Sequence, residues 1–388
     1  MKCAVQARWG CRVGLVKLVC GGALALALNV GGGGALGGPL TPPGGPVTST
    51  NKTLSEVEPR IAINAVNTPG DADSVYRITQ PGSYYLTGNL SGIAVKSGIV
   101  VTSSHVTIDL NGFAVAGAFL AKTGITAIGG PYTNITVRNG VVTGWSDEGI
   151  RMQPAVLSNC RFADLVLSAN TGRGLAAGNG AVITNCSATG NGTGISCGAG
   201  NTITGCTASA NTGAGITTGA STTMTACAAF SNGSDGITAS TGSIVRGCAA
   251  FDNTGNGFFV GTGIQVVECA AISNQLDGIR AGAGCNIIGN DCNANGNSGD
   301  GAGIHTTGTR NRIEGNVCVS ADRGIDVDST LNFVVRNTCG GNTVNWTIAA
   351  GNVIGAILDR TAPGGVVISG NTAASTLGTT DANANFSN

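Results

Sequence analysis

The segments CAAFSNGSDGI (residues 227–237), CAAFDNTGNGF (248–258) and CAAISNQLDGI (269–279) decide the fold of this chain, because they repeat one phrase at a fixed step. Two related segments precede them, CSATGNGTGI at 186–195 and CTASANTGAGI at 206–216. Each begins with Cys, carries Asn five residues later, and ends with Gly followed by a bulky apolar residue. The step of 20 or 21 residues is typical of a solenoid repeat.

The side chains within each repeat alternate in polarity, which indicates strands. Ile237 and Ala239 take one face, and Cys248 and Ala250 return to that face after a turn. No i, i+3, i+4 pattern favours a helix, and a leucine-rich repeat would require a Leu-rich consensus with a helical side. A repeat of this length leaves about seven residues for each side of a three-sided coil, enough for a short strand and a turn. We therefore predict an all-β fold, a three-sided parallel β-helix.

The repeat also predicts columns of like side chains, since successive rungs of such a coil stack about 4.8 Å apart. A column of bulky residues is predicted to face inward: Ile99, Ile125, Ile150, Leu175, Ile195, Ile216, Ile237, Phe258, Ile279, Ile304 and Ile325. Its members predict about eleven rungs. A column of mainly cysteine is predicted beside it: Leu165, Cys186, Cys206, Cys227, Cys248, Cys269, Cys292, Cys318 and Cys339. A third column is small: Leu167, Ala188, Ala208, Ala229, Ala250, Ala271, Ala294 and Ser320. We expect the repeated Asn residues to form a buried ladder of side-chain amides at a turn.

The N-terminal residues predict export. Residues 1–38 combine a basic start with an apolar run that is typical of a secretory signal and too short for a membrane span. The alternative is that translation truly begins at a later residue and that this segment was assigned to the protein by mistake. Beyond the signal we predict a flexible linker at 39–60, N-terminal cap strands at 61–95, the parallel β-helix at 96–360 and a C-terminal tail at 361–388. The expected location is secreted or at the cell surface, with the periplasm as an alternative, and the expected state is a monomer without a membrane span after signal removal.

Composition excludes some functions and some cysteine chemistry. The net charge is zero and only 10% of residues are charged, so a basic face for nucleic acid is not predicted. Eleven cysteines remain after the signal, an odd number without a CxxC pair or a histidine at zinc spacing. The regular column favours buried thiols that act as small apolar groups over disulfides.

Several segments resemble a known group of proteins. The Asn ladder and the Gly-Ile repeat resemble the right-handed parallel β-helix superfamily, which includes pectate lyases and polygalacturonases. INAVNTPGDADSVYRITQPGSYYLTGN (63–89), VTIDLNGF (106–113), NWTIAAGNVIGAILD (345–359) and DANANFSN (381–388) are similar to secreted bacterial proteins described only as right-handed β-helix repeat proteins. This closer resemblance covers about residues 54–388 and implies a right-handed coil, but no particular activity.

The motifs of the superfamily's hydrolases are absent from this sequence. Asn-Thr-Asp, Gly-His-Gly and Arg-Ile-Lys do not occur, and Arg312-Ile313-Glu314 is the nearest approach, with the wrong final charge. Paired carboxylates are needed to split a glycosidic bond, so a hydrolase of the polygalacturonase type is not expected. A lyase requires only a base and a cation that neutralises the uronate, and this class stays open.

The densest group of charges follows from the alternation of the strands. If the bulky column faces inward, the next residues face outward: Arg151, Ala176, Ser196, Thr217, Thr238, Phe259, Arg280, His305 and Asp326. Arg280, His305 and Asp326 thus occupy consecutive rungs, about 5 Å apart, and are the candidate catalytic residues. In this hypothesis Arg280 or His305 removes a sugar C5 proton. Asp300, Asp326 and Asp328 would bind Ca²⁺, the candidate cofactor. The alternative is a row of solvated ion pairs, each of little energetic weight.

A second outward column contains Phe230 and Phe251, which would offer sugars an apolar strip unless a terminal segment covers it. These two residues and Arg323 are the candidate substrate-binding residues. The leading hypothesis is an exported β-helix that binds extracellular polysaccharide, with lyase activity as its enzymatic form. The rival is a non-catalytic structural or adhesive protein of the cell surface or matrix.

Overall fold

The computed structural model describes residues 58–152, 158–296, 301–359, 368–370 and 381–387. They belong to one compact unit, Thr53–Asn388. The predicted signal, most of the linker and most of the tail lie outside the described residues, so those boundaries stay predictions. Within the described part, no helix has the length and apolar character needed to cross a membrane.

One side of the coil is a sheet of 14 parallel strands, called sheet I below. Its strands are Ser74–Ile78, Ser97–Val101, Ile125–Ala127, Ile150–Met152, Arg173–Ala177, Thr193–Cys197, Ile216–Thr218, Ile237–Ala239, Phe258–Val260, Ile279–Ala281, Ala302–Thr306, Arg323–Val327, Val344–Ile348 and Ile368–Gly370. Each strand pairs with the strand of the next turn along the chain. This connectivity is that of a parallel β-helix, in which one side of every turn contributes to the same sheet.

The other two sides form a second sheet of 26 strands, called sheet II. Its strands are Ile61–Ile63, Gly82–Leu86, Leu90–Ser91, Val106–Asp109, Ala114–Ala116, Ile135–Thr143, Arg161–Ser168, Val182–Thr184, Ser187–Thr189, Thr202–Thr204, Thr207–Ser209, Thr223–Thr225, Ala228–Phe230, Ile244–Arg246, Ala249–Phe251, Gln265–Val267, Ala270–Ile272, Asn286–Ile288, Asp291–Asn293, Arg312–Glu314, Val317–Val319, Phe333–Val335, Thr338–Gly340, Val353–Ile354, Ile357–Asp359 and Asn385–Ser387. Two series of short strands join where the long strand Arg161–Ser168 pairs with both Val182–Thr184 and Ser187–Thr189. The coil therefore has three sides, as predicted.

The bulky inward column is present, and it is longer than the sequence predicted. All eleven residues of that column are fully buried, and neighbours such as Ile216 and Ile237 stand in register. Tyr76 pairs with Ile99 before the column, and Trp346 and then Ile368 follow Ile325. Sheet I thus has 14 rungs instead of about eleven. The count fell short because Tyr76 and Trp346 do not follow a glycine, so the Gly-Ile phrase does not mark them.

The predicted cysteine column changes register near residue 290. Cys269 aligns with Asn290, and Cys292 aligns with Ala271 in the neighbouring small column. The assignment of Cys292, Cys318 and Cys339 to the cysteine column was therefore wrong by two residues. Cysteine is close enough to alanine in size and polarity to fill either column, so the residue type alone did not reveal the shift. The eleven cysteines of the described chain are all buried and free, which agrees with their prediction as small apolar groups.

The Asn ladder is formed as predicted. The backbone N–H and the side-chain amide of Asn211 both donate to Oδ1 of Asn232, at 3.1 and 2.9 Å, and Asn232 repeats this pattern on Asn253. The side-chain amide of Asn232 also donates to the carbonyl of Ala208, at 3.2 Å. Each Asn therefore satisfies buried groups of two rungs. A Cβ on Gly215 would lie 2.7 Å from the Asn232 amide nitrogen and 2.6 Å from the Gly236 carbonyl oxygen, which explains the glycine of the repeat.

A second Asn ladder begins where the cysteine column ends. Cys269 donates its backbone N–H to Oδ1 of Asn290, and the same bond continues through Asn316 and Asn337 to Asn385. The position follows a corner at which each turn places one residue in the left-handed region, such as Glu268 (φ 56°) and Gly289 (φ 65°). Amides thus replace thiols at this corner toward the C-terminal end, and the coil keeps its shape.

Candidate functional site

The outward column predicted from the sequence is present on sheet I, and its residues pair in register. Phe259 pairs with Arg280, Arg280 with His305, and His305 with Asp326. Each is the outward residue of a strand whose neighbours point into the core, because side chains alternate along a strand. Phe259 is 41% exposed, and Arg280 and His305 are partly exposed. Four consecutive rungs therefore place an aromatic ring, a guanidinium, an imidazole and a carboxylate in one column.

His305 lies between two carboxylates. Its Nδ1 is 3.0 Å from Oδ2 of Asp277, and its Nε2 is 2.9 Å from Oδ2 of Asp328. The hydrogen bond with Asp277 raises the pKa of His305 from 6.5 to about 9; burial opposes this effect and Asp328 adds to it. The ring therefore carries both protons at neutral pH in this state. The role of base predicted for His305 requires that the ring first lose one of them.

Asp326 is less accessible than an outward position suggests, because it is only 2% exposed. Arg323 Nη1 is 2.5 Å from Asp326 Oδ2 and covers that side of the carboxylate. Burial raises the pKa of the Asp326 carboxyl above its usual range, while Arg323 and His305 act in the opposite direction. The other oxygen, Oδ1, is buried without a hydrogen-bond partner. Arg323, predicted to bind substrate, thus binds a carboxylate of the protein itself.

Three side chains of this cluster lie close enough together to share one cation. One ligand atom each from His305, Asp326 and Asp328 lies within 4.8 Å of the others. Asp326 and Asp328 were both predicted as metal ligands, whereas the imidazole was not. Asp300, the third predicted ligand, lies outside the described residues. We call Phe259, Asp277, Arg280, His305, Arg323, Asp326 and Asp328 the His305 cluster.

The phenylalanine pair lies on a different side of the molecule. Phe230 and Phe251 belong to strands Ala228–Phe230 and Ala249–Phe251 of sheet II, whereas the His305 cluster lies on sheet I. Their rings stack with centroids 4.7 Å apart and an angle of 3° between the planes. Each ring thus turns one face to the other ring, and a sugar stacks on an aromatic face. This geometry favours a role in packing, although Phe251 is 38% exposed.

Replacing Phe251 by Ala is expected to lower the free energy of unfolding by about 1–2 kcal/mol, because it removes the ring stack and part of its buried area. The expected effect on polysaccharide affinity is none. Urea unfolding and glycan binding of the variant provide the measurement. The matched control is Phe119→Ala, since Phe119 is 86% exposed and should contribute little. A Phe251→Ala variant with unchanged stability and lost glycan binding would instead establish the predicted sugar strip.

Two residues of the cluster were not selected from the sequence as functional. Asp277 precedes the Gly-Ile phrase of its own rung, and its Oδ1 accepts the backbone N–H of Ala302 at 2.8 Å. This bond fixes the carboxylate that holds His305. Phe259 was placed in the correct column, but a single aromatic among small residues gave no functional signal. The register with Arg280 and the exposure of the ring supply that signal.

A cleft of about 270 Å³ lies near the N-terminal end of the same sheet. Lys122 pairs with Asp73 across 3.3 Å in this cleft, and Arg151 pairs with Asp147 across 3.6 Å. Arg151 and the His305 cluster share one outward column. The residues between them are small: Ala176, Ser196, Thr217 and Thr238. Ala176 is fully buried, whereas Ser196, Thr217 and Thr238 are partly exposed, so the open part of the column runs from Ser196 to the His305 cluster.

Comparison with known proteins agrees with the fold. A family model described as "Right handed beta helix region" matches residues 91–244. The A-module of the mannuronan C-5 epimerase AlgE6 from Azotobacter vinelandii has a similar structure, with a TM-score of 0.57 and 16% identity, over 79% of this chain and 89% of that one. The chain has the right-handed parallel β-helix fold.

Two other solved structures match this chain with TM-scores below 0.5. The AlgE4 A-module of the same organism has a TM-score of 0.44 and 12% identity, over 76% of this chain and 91% of that one. Pectate lyase Pel9A has a TM-score of 0.30 and 17% identity, over 79% of this chain and 70% of that one. No curated protein matches the β-helix sequence. At 16% identity, the similarity to the AlgE6 A-module establishes the architecture alone, and the activity has to be argued from the site.

Proposed function

We propose that this β-helix is exported and binds an extracellular polysaccharide on the outer face of sheet I, at the His305 cluster. The observation that carries the proposal is the register of Phe259, Arg280, His305 and Asp326 on four consecutive rungs. A chain with only 10% charged residues concentrates an aromatic ring, cations and carboxylates at this place. Such a combination is typical of sites that bind sugars, which need an apolar surface and hydrogen-bonding groups side by side.

The cluster offers each part of an acidic sugar a suitable partner. The exposed ring of Phe259 provides a surface for the apolar face of a pyranose. Arg280, one rung away, is partly exposed and can form a paired hydrogen bond with a uronate carboxylate. The partly exposed small residues Thr238, Thr217 and Ser196 continue the outward column beyond Phe259 and leave room for further sugar units along the sheet. The similar fold of the mannuronan C-5 epimerase AlgE6 A-module supports this class of ligand. The apolar run within residues 1–38 supports export.

The proposal is tested by a binding screen of the chain from residue 39 onward against acidic and neutral polysaccharides, with and without a divalent cation. We expect an acidic polysaccharide to bind. Phe259→Ala and Arg280→Ala should each weaken binding about five- to tenfold, which corresponds to about 1–1.4 kcal/mol. Phe119→Ala and Arg246→Ala are the matched controls, because both residues are exposed and Arg246 lies on sheet II.

The same screen separates binding from catalysis. Absorbance of an unsaturated product that disappears in His305→Ala or Arg280→Ala would identify a lyase. Binding without product would identify a recognition protein. No binding to any polysaccharide, or equal losses in the control variants, would overturn the proposal and favour a structural or adhesive protein.

A further inference from the structure

We infer that the His305 cluster is a binding site for a divalent transition metal such as Zn²⁺, with His305 Nε2, Asp326 and Asp328 as protein ligands. The inference rests on the proposed function for its location and deepens it by naming the cation. The three ligand atoms already lie within 4.8 Å of one another. A cation at their centre would neutralise the buried Asp326 and Asp328, which now shares the imidazole ring with Asp277.

The buried carboxylate of Asp326 is an independent sign of a missing partner. Its side chain is 3% exposed, and Oδ2 is paired with Arg323. Oδ1 is buried and accepts no hydrogen bond. An unpaired carboxylate oxygen in a protein interior is costly, so most such atoms have a donor or a metal ion. Among the carboxylates of the described chain, Asp326 thus combines burial, a free oxygen and two further ligands in reach.

The contact between His305 and Asp277 orients the imidazole for metal binding. His305 Nδ1 is 3.0 Å from Asp277 Oδ2, and the other oxygen of Asp277 is held by the backbone N–H of Ala302. A metal-bound histidine commonly donates its other ring N–H to a carboxylate, which fixes the tautomer and the ring orientation. Nδ1–H donation to Asp277 leaves Nε2 directed at Asp328, 2.9 Å away. A metal would take the place of the proton between Nε2 and Asp328.

The donor set distinguishes the metal from Ca²⁺. Calcium prefers six to eight oxygen ligands, whereas the described residues of this site present one imidazole nitrogen and two carboxylates. Imidazole with carboxylates suits Zn²⁺ and similar transition metals. Asp300, the third carboxylate of the Ca²⁺ hypothesis drawn from the sequence, lies outside the described residues, and the imidazole is the third ligand among those that the structure describes.

The two histidines of the chain make the test specific, because His105 is exposed on the surface and serves as an internal control. The experiment uses untagged, EDTA-treated protein without polysaccharide. Imidazole ¹⁵N resonances are followed during addition of Zn²⁺ and, separately, Ca²⁺. We expect Zn²⁺ to shift the His305 nitrogens and to leave those of His105 in place, and Ca²⁺ to have a much smaller effect.

Variants then assign the ligands. Asp326→Asn and Asp328→Asn should each weaken Zn²⁺ binding by at least about tenfold. Asp291→Asn, an exposed carboxylate on sheet II, should not. Asp328 is exposed, so its variant is expected to fold even if the buried Asp326→Asn does not. The inference would be overturned if Zn²⁺ left the His305 resonances unchanged, if Asp328→Asn bound Zn²⁺ as tightly as wild type, or if the site preferred Ca²⁺ to Zn²⁺. Since no polysaccharide is present, loss of glycan binding in the earlier screen leaves this result unaffected.

Discussion

Replacing Asn232 by Ala is expected to lower the free energy of unfolding by about 3–5 kcal/mol, because three buried groups lose their partner at once. These groups are the backbone N–H and the side-chain amide of Asn211 and the carbonyl of Ala208. The site is closed to water, so nothing replaces the lost bonds. The midpoint of urea unfolding measures the loss of stability. Faster hydrogen exchange at the backbone N–H of Asn211 would show that the loss arises at this rung.

The control for this change is Asn293→Ala. Asn293 is an exposed residue of strand Asp291–Asn293, outside both ladders, and its replacement should alter stability by less than about 0.5 kcal/mol. Similar effects in the two variants would contradict the ladder as a source of stability. A repeat coil gains most of its stability from contacts between neighbouring rungs, so a break at one rung should also be visible as local opening there.

The regular part of the fold could be predicted because one rung repeats the chemistry of the next. Stacked positions share one environment, so the place of Ile216 in the core predicts that of Ile237, and the place of Asn211 in the ladder predicts that of Asn232. The end rungs could not be counted in this way. Tyr76 and Trp346 fill the same column with different side chains and without the preceding glycine. The register shift at Cys292 could not be predicted from the sequence for a related reason, because two neighbouring columns accept the same residue type.

The candidate site could be predicted only in part. Alternation along the strands placed Arg280, His305 and Asp326 on one face in consecutive rungs, and the structure has them there. Alternation does not specify how far a side chain is covered, so Asp326 was expected to be accessible. The ion pair with Arg323 and the contact of His305 with Asp277 depend on rotamers across rungs. Those contacts are set by three-dimensional packing and leave no periodic signal in the sequence.

The stability that His305 provides is expected to depend on pH. The folded pKa of about 9 exceeds the value of 6.5 for a free imidazole, so protonation favours the folded state. The contribution is fully present below about pH 6.5, declines as pH rises, and is lost above about pH 9. A shift of this size corresponds to about 3 kcal/mol, which we reduce to about 2–3 kcal/mol because Asp328 is 54% exposed and screened by water.

The measurement compares wild type with His305→Gln in urea unfolding from pH 6 to pH 10, with EDTA present so that no metal competes for the ring. We expect a difference of about 2–3 kcal/mol at pH 6 that falls below about 0.5 kcal/mol at pH 10. His105→Gln controls for the loss of an exposed imidazole. A difference that stays constant across this range would mean that the imidazole stabilises the fold by packing alone, because only an ion pair with Asp277 and Asp328 disappears when the ring loses its proton.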